Sequence, residues 1–131
     1  PGEFVEAVTI PRRPDRLRVW KISKRFDQDI SAVCGAFALT VEDGRIAAAR
    51  IAFGGMAAIP KRARAVEAAL IGQPLSPAGV AATDAAWTED FRPISDMRAS
   101  ADYRLKVARN LLTRYALDHA GGLTNVLEVR P

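Results

Sequence analysis

The sequence predicts an α+β domain, in which an antiparallel sheet of three to four strands is followed by three helices packed on one face. Segments that alternate between polar and apolar residues occupy the first half of the chain, and segments with a helical period occupy the second half. In addition, Asp43-Gly44 joins two apolar runs, which is typical of a β-hairpin. Strands that come before helices favour an antiparallel sheet over a parallel one.

Four segments are predicted to be strands. Residues 3–10 (EFVEAVTI) alternate, contain β-branched residues and stop at Pro11, so they predict the first strand. Residues 16–23 (RLRVWKIS) alternate as well and predict the second. Residues 32–53 contain the Asp-Gly turn and predict a hairpin, although their alanines would also suit a helix. The polar residues 24–30 break the period and predict a loop.

Three helices are predicted after Pro60. The first covers KRARAVEAALIG and ends at Gly72, which suits a left-handed C-terminal cap. The second begins at Ser76-Pro77 and continues to about Asp90, and the third is long and capped by Ser100. The residues predicted to face the core are, helix by helix, Ala65, Val66, Ala69 and Leu70; Val80, Trp87 and Phe91; and Tyr103, Val107, Leu111, Leu112 and Tyr115.

The composition indicates a single domain over residues 1–131, because 49% of the residues are apolar and 26% are charged. One cysteine and one histidine exclude an internal disulfide and a zinc site built on several thiolates or imidazoles. No apolar run reaches the length of a membrane helix. We therefore expect a cytoplasmic domain with no metal site, no membrane partner and no nucleic-acid partner. The chain starts without methionine, which suggests a fragment or a cleaved product of a longer protein.

Positive charge is concentrated in residues 12–25, which hold seven basic residues against one acid. Such a stretch attracts phosphate groups, whether on a cofactor or on a nucleic acid. Alternatively, it is a charged strand edge that discourages pairing with other sheets. Nucleic-acid binding is the less favoured interpretation, because only Trp20 and Phe26 lie close enough to serve for stacking.

No residue by itself identifies a reaction. The chain lacks the glycine-rich phosphate-binding motifs and the G-x-S-x-G nucleophile motif. Asp27 and Asp29 suit turn positions better than paired acid–base catalysis. Cys34 is expected to be a buried, inert thiol, and His119 to lie near a helix C-terminus. Lys21 shares a strand face with apolar residues, so it either extends to solvent or anchors a ligand.

Three segments together resemble a known family. KISKRFDQDISAV (21–33), RIAFGGMAAIPKRARAVEAALIG (50–72) and DFRPISDMRASADYRLKVARNLLTRY (90–115) resemble, in the same order, the flavoprotein component of molybdenum hydroxylases. The domain that they define is similar to the C-terminal domain of carbon monoxide dehydrogenase flavoproteins. Within this family, DISAVCGAF is most similar to the small FAD-binding subunit of bacterial xanthine dehydrogenase.

The resemblance implies a role in electron transfer through FAD. Electrons leave a molybdenum cofactor, pass 2Fe-2S clusters and reach FAD, which hands them to NAD or another acceptor. Most of the FAD would be bound by a preceding domain, so this chain alone would be inactive. The implied partners are the preceding flavin-binding and iron–sulfur domains of the same subunit and a molybdenum-binding large subunit.

The resemblance also assigns candidate site residues. It implies that Lys21 contacts FAD and that a loop on the acceptor side of the flavin consists of Arg25, Phe26, Asp27, Gln28, Asp29 and Ile30. Phe26 replaces a second arginine of the animal members, and Gln28 stands where their loop is acidic, so acceptor control of the animal type is not expected. The alternative hypothesis is a stand-alone anion-binding or protein-interaction module that uses the basic stretch 12–25.

Overall fold

The computed structural model describes residues 2–12, 16–122 and 124. Within these residues the chain forms a four-stranded antiparallel sheet with strand order β1-β2-β3-β4 and places its helices after the strands, which confirms the predicted α+β fold. The elements are β1 (Leu17–Ile22), β2 (Val33–Glu42), β3 (Arg45–Gly54), β4 (Lys61–Arg62), α1 (Arg64–Leu70), α2 (Pro77–Ala81), α3 (Trp87–Asp90) and α4 (Ala101–His119).

The centre of the sheet is the predicted hairpin. β2 and β3 are ten residues each and are joined by Asp43 and Gly44, whose φ angles are 49° and 74°. Both turn positions thus adopt the left-handed region that an Asp-Gly pair tolerates, and the prediction is confirmed. β1 pairs with β2 in a register that sets Lys21 opposite Cys34.

The two faces of the sheet differ in burial. On the inner face, Phe37 and Phe53 pack edge to face with ring centroids 5.4 Å apart, and Phe53 contacts Trp87 of α3 at 5.6 Å. Aromatic rings in this arrangement stabilise the core beyond their buried area. The outer face carries no buried residue; its members are Leu17, Val19, Lys21, Cys34, Ala36, Ala38, Thr40, Ala48, Arg50, Ala52 and Gly54.

The predicted first strand is wrong. Residues 3–10 adopt no strand, and their large apolar side chains are 78–84% exposed. An alternating segment becomes a strand only when a neighbouring strand satisfies its backbone, and no described segment pairs with this one. A fourth strand forms elsewhere: Lys61 and Arg62, which the helical period assigned to the start of a helix, pair instead with Phe53 and Ala52 of β3.

The predicted second helix is interrupted. It begins at Ser76 and Pro77 as expected, with the Ser76 hydroxyl accepting from the N–H of Gly79 at 3.2 Å, but residues 82–86 form a turn that separates α2 from α3. Within the break, the buried Thr83 hydroxyl donates to the carbonyl of Val80 at 2.8 Å and accepts from Trp87 Nε1 at 3.1 Å, so it links the end of α2 to the start of α3. Val80, Trp87 and Phe91 are buried, as predicted.

The carboxylate of Asp90 caps α1 from another part of the chain. It accepts the N–H groups of Ala65 and Val66 at 3.1 and 3.0 Å, and Asp90 is itself buried. No side chain of the α1 N-cap residue performs this role. The first turn of a helix needs acceptors for its free N–H groups, and here α3 supplies them.

Helix α4 is long and begins after Ser100, as predicted, but it has a slightly different inward face. Ser100 caps it, accepting from the N–H of Tyr103 at 3.2 Å. The predicted positions Leu111, Leu112 and Tyr115 are buried, whereas Val107 is half-buried and Tyr103 is 47% exposed, so the assignment of Tyr103 to the core is wrong. The neighbouring residue Arg104 turns inward instead, because its guanidinium finds three acceptors in the interior.

Candidate functional site

The candidate site lies at the end of the sheet where β1 ends. Lys21 is the penultimate residue of β1 and is exposed on the outer face, beside Leu17 and Val19, as the alternation predicts. Leu17 and Val19 are each 52% exposed, so this part of the face is an open apolar surface. The Lys21 ammonium has no hydrogen-bond or ion-pair partner among the described residues, which leaves its three donors available to a ligand.

The loop 23–31, which leaves β1 and enters β2, is ordered around Asp29. One carboxylate oxygen of Asp29 accepts the N–H groups of Lys24 and Arg25 at 2.9 and 3.0 Å, and the Arg25 guanidinium lies 3.6 Å from the other oxygen. The hydrogen bond from the Arg25 N–H, helped by the Arg25 charge, holds the pKa of Asp29 below its usual value. Asp29 is therefore a turn-forming residue, as predicted, and stays ionised at neutral pH.

The tip of this loop presents apolar side chains to solvent. Phe26 is fully exposed, and Ile30 is 65% exposed. Gln28 adopts a φ of 47°, and the Asp27 carboxylate accepts the Gln28 N–H at 2.8 Å, so the turn is held locally. Exposed aromatic and aliphatic side chains on an ordered loop suit contact with another surface or with a flat ring.

A second loop, residues 94–99, lies against the first, and no local sequence pattern assigns it to the site. Lys24 Nζ donates to the backbone carbonyl of Met97 at 2.7 Å, which joins the two loops. The Asp96 carboxylate accepts the N–H groups of Arg98 and Ala99 at 2.8 and 3.2 Å and a guanidinium N–H of Arg104 at 2.7 Å. These bonds, that of the Arg98 N–H first, hold the pKa of Asp96 below its usual value.

Of the three arginines Arg98, Arg104 and Arg109 that follow Asp96 in the sequence, two form ion pairs with it. Arg104 and Arg98 pair with Asp96, at 2.7 and 3.8 Å, whereas Arg109 donates instead to the Asp84 carbonyl at 3.1 Å. A sequence pattern could list the three arginines but could not choose among them, because the choice depends on which one the helix directs at the loop.

A cavity of about 400 Å³ lies between the two loops and the start of α4. Its wall carries two cationic side chains, three hydroxyl groups and an aromatic ring; the lining residues are Ile22, Ser23, Lys24, Ala32, Arg98, Ala99, Ser100 and Tyr103. Tyr103 is exposed because it faces this cavity and not the core. Periodicity alone could not have found this position, since an inward-facing tyrosine and a cavity-lining one fit the same helical stripe.

Cys34 and His119, the other residues considered from the sequence, lie in different parts of the fold: Cys34 is opposite Lys21, and His119 is at the far end of α4. Cys34 is half-buried on the outer face, so the prediction of a buried thiol is wrong. His119 ends α4, as expected. In the part of the chain that the structure describes, no group of three or more histidine, cysteine, aspartate or glutamate residues is arranged to hold a metal ion. None of the described helices is long and apolar enough to cross a membrane.

The basic stretch 12–25 does not form one patch. Arg16 donates to the Thr40 hydroxyl at 2.7 Å, and Arg18 lies 3.6 Å from the Asp118 carboxylate, so both are engaged near the start of β1. Lys21, Lys24 and Arg25 lie at the other end of the strand or beyond it. Arg13 falls outside the described residues. Because side chains alternate between the two faces of β1 and the stretch runs along the whole strand, its charges are spread over the surface.

Comparisons with known proteins agree with one another. Residues 18–119 match the model of the CO dehydrogenase flavoprotein C-terminal domain family. The nicotine 6-hydroxylase medium subunit of Paenarthrobacter nicotinovorans is 32% identical over 122 residues, which are 93% of this chain and 42% of that protein.

Solved structures give the same result. The quinoline 2-oxidoreductase from Pseudomonas putida 86 superposes with a TM-score of 0.72 at 28% identity, over 88% of this chain and 40% of that one. The reconstituted CO dehydrogenase from Oligotropha carboxidovorans superposes with a TM-score of 0.69 at 27% identity, over 80% and 37% of the two chains. The chain therefore spans about two fifths of the length of these relatives.

Proposed function

Because this chain belongs to the CO dehydrogenase flavoprotein C-terminal domain family, we propose that it is the C-terminal part of the FAD-binding subunit of a molybdenum hydroxylase. The observation that carries the proposal is the family match over residues 18–119, which includes both loops of the candidate site and most of the sheet. In this proposal, residues 1–131 form one domain, and preceding flavin-binding and iron–sulfur domains together with a molybdenum-binding large subunit complete the enzyme. The proposed location is the cytoplasm.

The complete enzyme is proposed to be xanthine dehydrogenase-like and to oxidise a nitrogen heterocycle with NAD as the acceptor. Two relatives are named for nitrogen heterocycles, nicotine and quinoline, and xanthine belongs to the same chemical class. The similarity of DISAVCGAF to the bacterial xanthine dehydrogenase subunit supports the choice within that class. The molybdenum cofactor and the 2Fe-2S clusters lie outside this chain in the proposal.

The residues at the end of β1 suit FAD. When bound, FAD would receive electrons from the iron–sulfur clusters and pass them to the acceptor. The Lys21 ammonium offers a compact positive charge with three donors on an open apolar face. The small side chains on the neighbouring strands, Ala36 and Ala52 among them, leave room for a flat ring or for another domain to approach closely. The loop from Arg25 to Ile30 would then border the acceptor side.

A Lys21→Ala substitution in the complete enzyme tests this proposal. A hydrogen bond to a charged group is worth about 1.5–3 kcal/mol, so losing it should weaken FAD binding by about one to two orders of magnitude. Flavin content per protomer after gel filtration measures the effect. Reduction of an artificial dye by the earlier redox centres should continue unchanged.

The matched control is Lys106→Ala, since Lys106 is an exposed lysine on α4. Lys24 does not suit this purpose, although its position after the strand predicts a solvent-exposed side chain, because its ammonium bonds to the Met97 carbonyl. Full flavin content and unchanged NAD reduction in Lys21→Ala would contradict the assignment.

The isolated chain tests the division into domains. Because the preceding flavin-binding part is proposed to hold most of the FAD, the 131-residue chain should show no dehydrogenase activity and little affinity for FAD. Titration with FAD while monitoring flavin fluorescence is sufficient. Binding at micromolar concentration or tighter would overturn this division of labour.

A further inference from the structure

Arg104, in the first turn of α4, is a buried arginine that joins three separate segments. Its side chain is 4% exposed. Nη1 donates to the carbonyls of Ala32 and of Gly55, the latter at 2.8 Å, and Nη2 donates to Oδ1 of Asp96 at 2.7 Å. These acceptors belong to the residue directly after the loop 23–31, to the turn after β3 and to the loop before α4. A planar guanidinium with several fixed donors makes such a junction, whereas a lysine ammonium does not match its geometry.

The turn after β3 is shaped to admit this guanidinium. Gly55 has a φ of +81°, and a Cβ atom there would lie 2.3 Å from the Ala32 carbonyl oxygen and 3.1 Å from Arg104 Nη1. A side chain at position 55 would therefore separate the carbonyls that Arg104 brings together. The close approach of these segments makes the junction a specific feature of the fold.

Both attachments of the loop 23–31 lie next to this junction. At its base, the Ala32 N–H donates to the Ile22 carbonyl at 2.8 Å, while the Ala32 carbonyl is held by Arg104. At its beginning, Lys24 Nζ bonds to the carbonyl of Met97, which follows the Asp96 that Arg104 also holds. Arg104 thus bonds to a residue at, or next to, each of the two attachments of the loop.

We propose that Arg104 is a positioning residue that fixes the loop 23–31 so that its residues 25–30 face the flavin. The inference rests on the proposed function, which assigns that loop to the acceptor side. Arg104 touches neither substrate nor cofactor in this role, and it acts through the carbonyl of Ala32 and the carboxylate of Asp96.

An Arg104→Lys substitution in the complete enzyme tests the proposal, with Arg109→Lys as the matched control. Arg109 lies on the same helix and makes one exposed hydrogen bond, to the Asp84 carbonyl. Hydrogen exchange by mass spectrometry reports on the amides of residues 23–31 and on the hairpin 33–54. We expect the amides of the loop to exchange about tenfold faster in Arg104→Lys, the effect of about one lost hydrogen bond, while the hairpin stays unchanged.

Steady-state kinetics provide the second measurement. The KM for the electron acceptor should rise by about tenfold, with kcat for dye reduction and the KM for the oxidised substrate unchanged, because only the acceptor side is displaced. If Arg104→Lys fails to accumulate as a folded subunit, Asp96→Asn is measured in the same way. It keeps the shape of the side chain and, of the three bonds of Arg104, weakens only the one to position 96.

The outcomes separate the two levels of the proposal. Unchanged exchange in residues 23–31, or an equal rise throughout the hairpin, would overturn the positioning role of Arg104. Local loosening of the loop with an unchanged acceptor KM would uphold that role and contradict the assignment of the loop to the flavin. Local loosening together with a raised acceptor KM would support both.

Discussion

Replacing Gly55 by alanine should destabilise the chain far more than the same change at Gly44. Both glycines have positive φ, +81° and +74°, and both substitutions incur the cost of a left-handed alanine, about 1–2 kcal/mol. A Cβ at Gly44 meets nothing within 4 Å. At Gly55 a Cβ atom meets the Ala32 carbonyl oxygen at 2.3 Å. Because this is a backbone atom, the contact can be relieved only if a segment of the backbone moves.

The additional cost at Gly55 follows from overpacking, which typically destabilises a core by about 1–3 kcal/mol. The total loss for Gly55→Ala is then about 2–5 kcal/mol, against about 1–2 kcal/mol for Gly44→Ala. Urea denaturation of both variants, monitored by circular dichroism, measures the two free energies of unfolding. The comparison holds when the dependence of the free energy on urea concentration is the same in both variants. Losses that agree within about 0.5 kcal/mol, the size of an ordinary surface effect, would refute the close approach of the turn to Ala32.

Three further predictions concern the core, the cap of α1 and acid stability. Leu111→Ala should lower the free energy of unfolding by about 2–5 kcal/mol because Leu111 is buried. Leu117 is 43% exposed, so Leu117→Ala should lower it by less than about 0.5 kcal/mol. Equal urea midpoints for the two variants would mean that α4 does not turn Leu111 towards the core. Asp90→Ala should lose about 1–2 kcal/mol and reduce helical circular dichroism, since α1 loses the acceptor of its first turn, and an unchanged melt would remove that role. The pKa of Asp96 is lowered in the folded chain, so its contribution to stability is present above the ordinary pKa of 3.8 and is lost as the pH falls towards the lower folded value. Melting temperatures measured from pH 6 to pH 2 should therefore decline less in Asp96→Asn than in the unaltered chain. Parallel curves for the two proteins would contradict this.

The sheet and the long helix could be predicted because their signals are local. An Asp-Gly pair between two apolar runs specifies a hairpin, and Ser100 ahead of a long helical period specifies a capped helix. The resemblance of three segments to the family is also confirmed, because residues 18–119 match the family model. For the hairpin and the helix the information lies within a few neighbouring residues, whereas the resemblance rests on three segments in the same order.

The errors arose where the outcome depends on distant partners. Residues 3–10 have the pattern of a strand but find no neighbouring strand among the described segments. The capping of α1 by Asp90 joins residues 24 and 25 positions apart, which periodicity does not encode. The second loop of the candidate site was missed for the same reason, since only the fold shows that Lys24 reaches Met97. The interruption near Thr83 is a local exception, since its hydroxyl bonds to Val80 and Trp87 within the same segment.

The central hairpin has a consequence for the order in which the molecule folds. Its two strands are connected by two residues, so their contacts close a short stretch of chain and lose little entropy on formation. The contacts of Arg104 with Gly55 and Ala32 span 49 and 72 residues. We therefore expect the hairpin to be structured in the folding transition state and the α4 junction to form after it. Substitutions in the turn should slow folding, while substitutions at the junction should mainly accelerate unfolding.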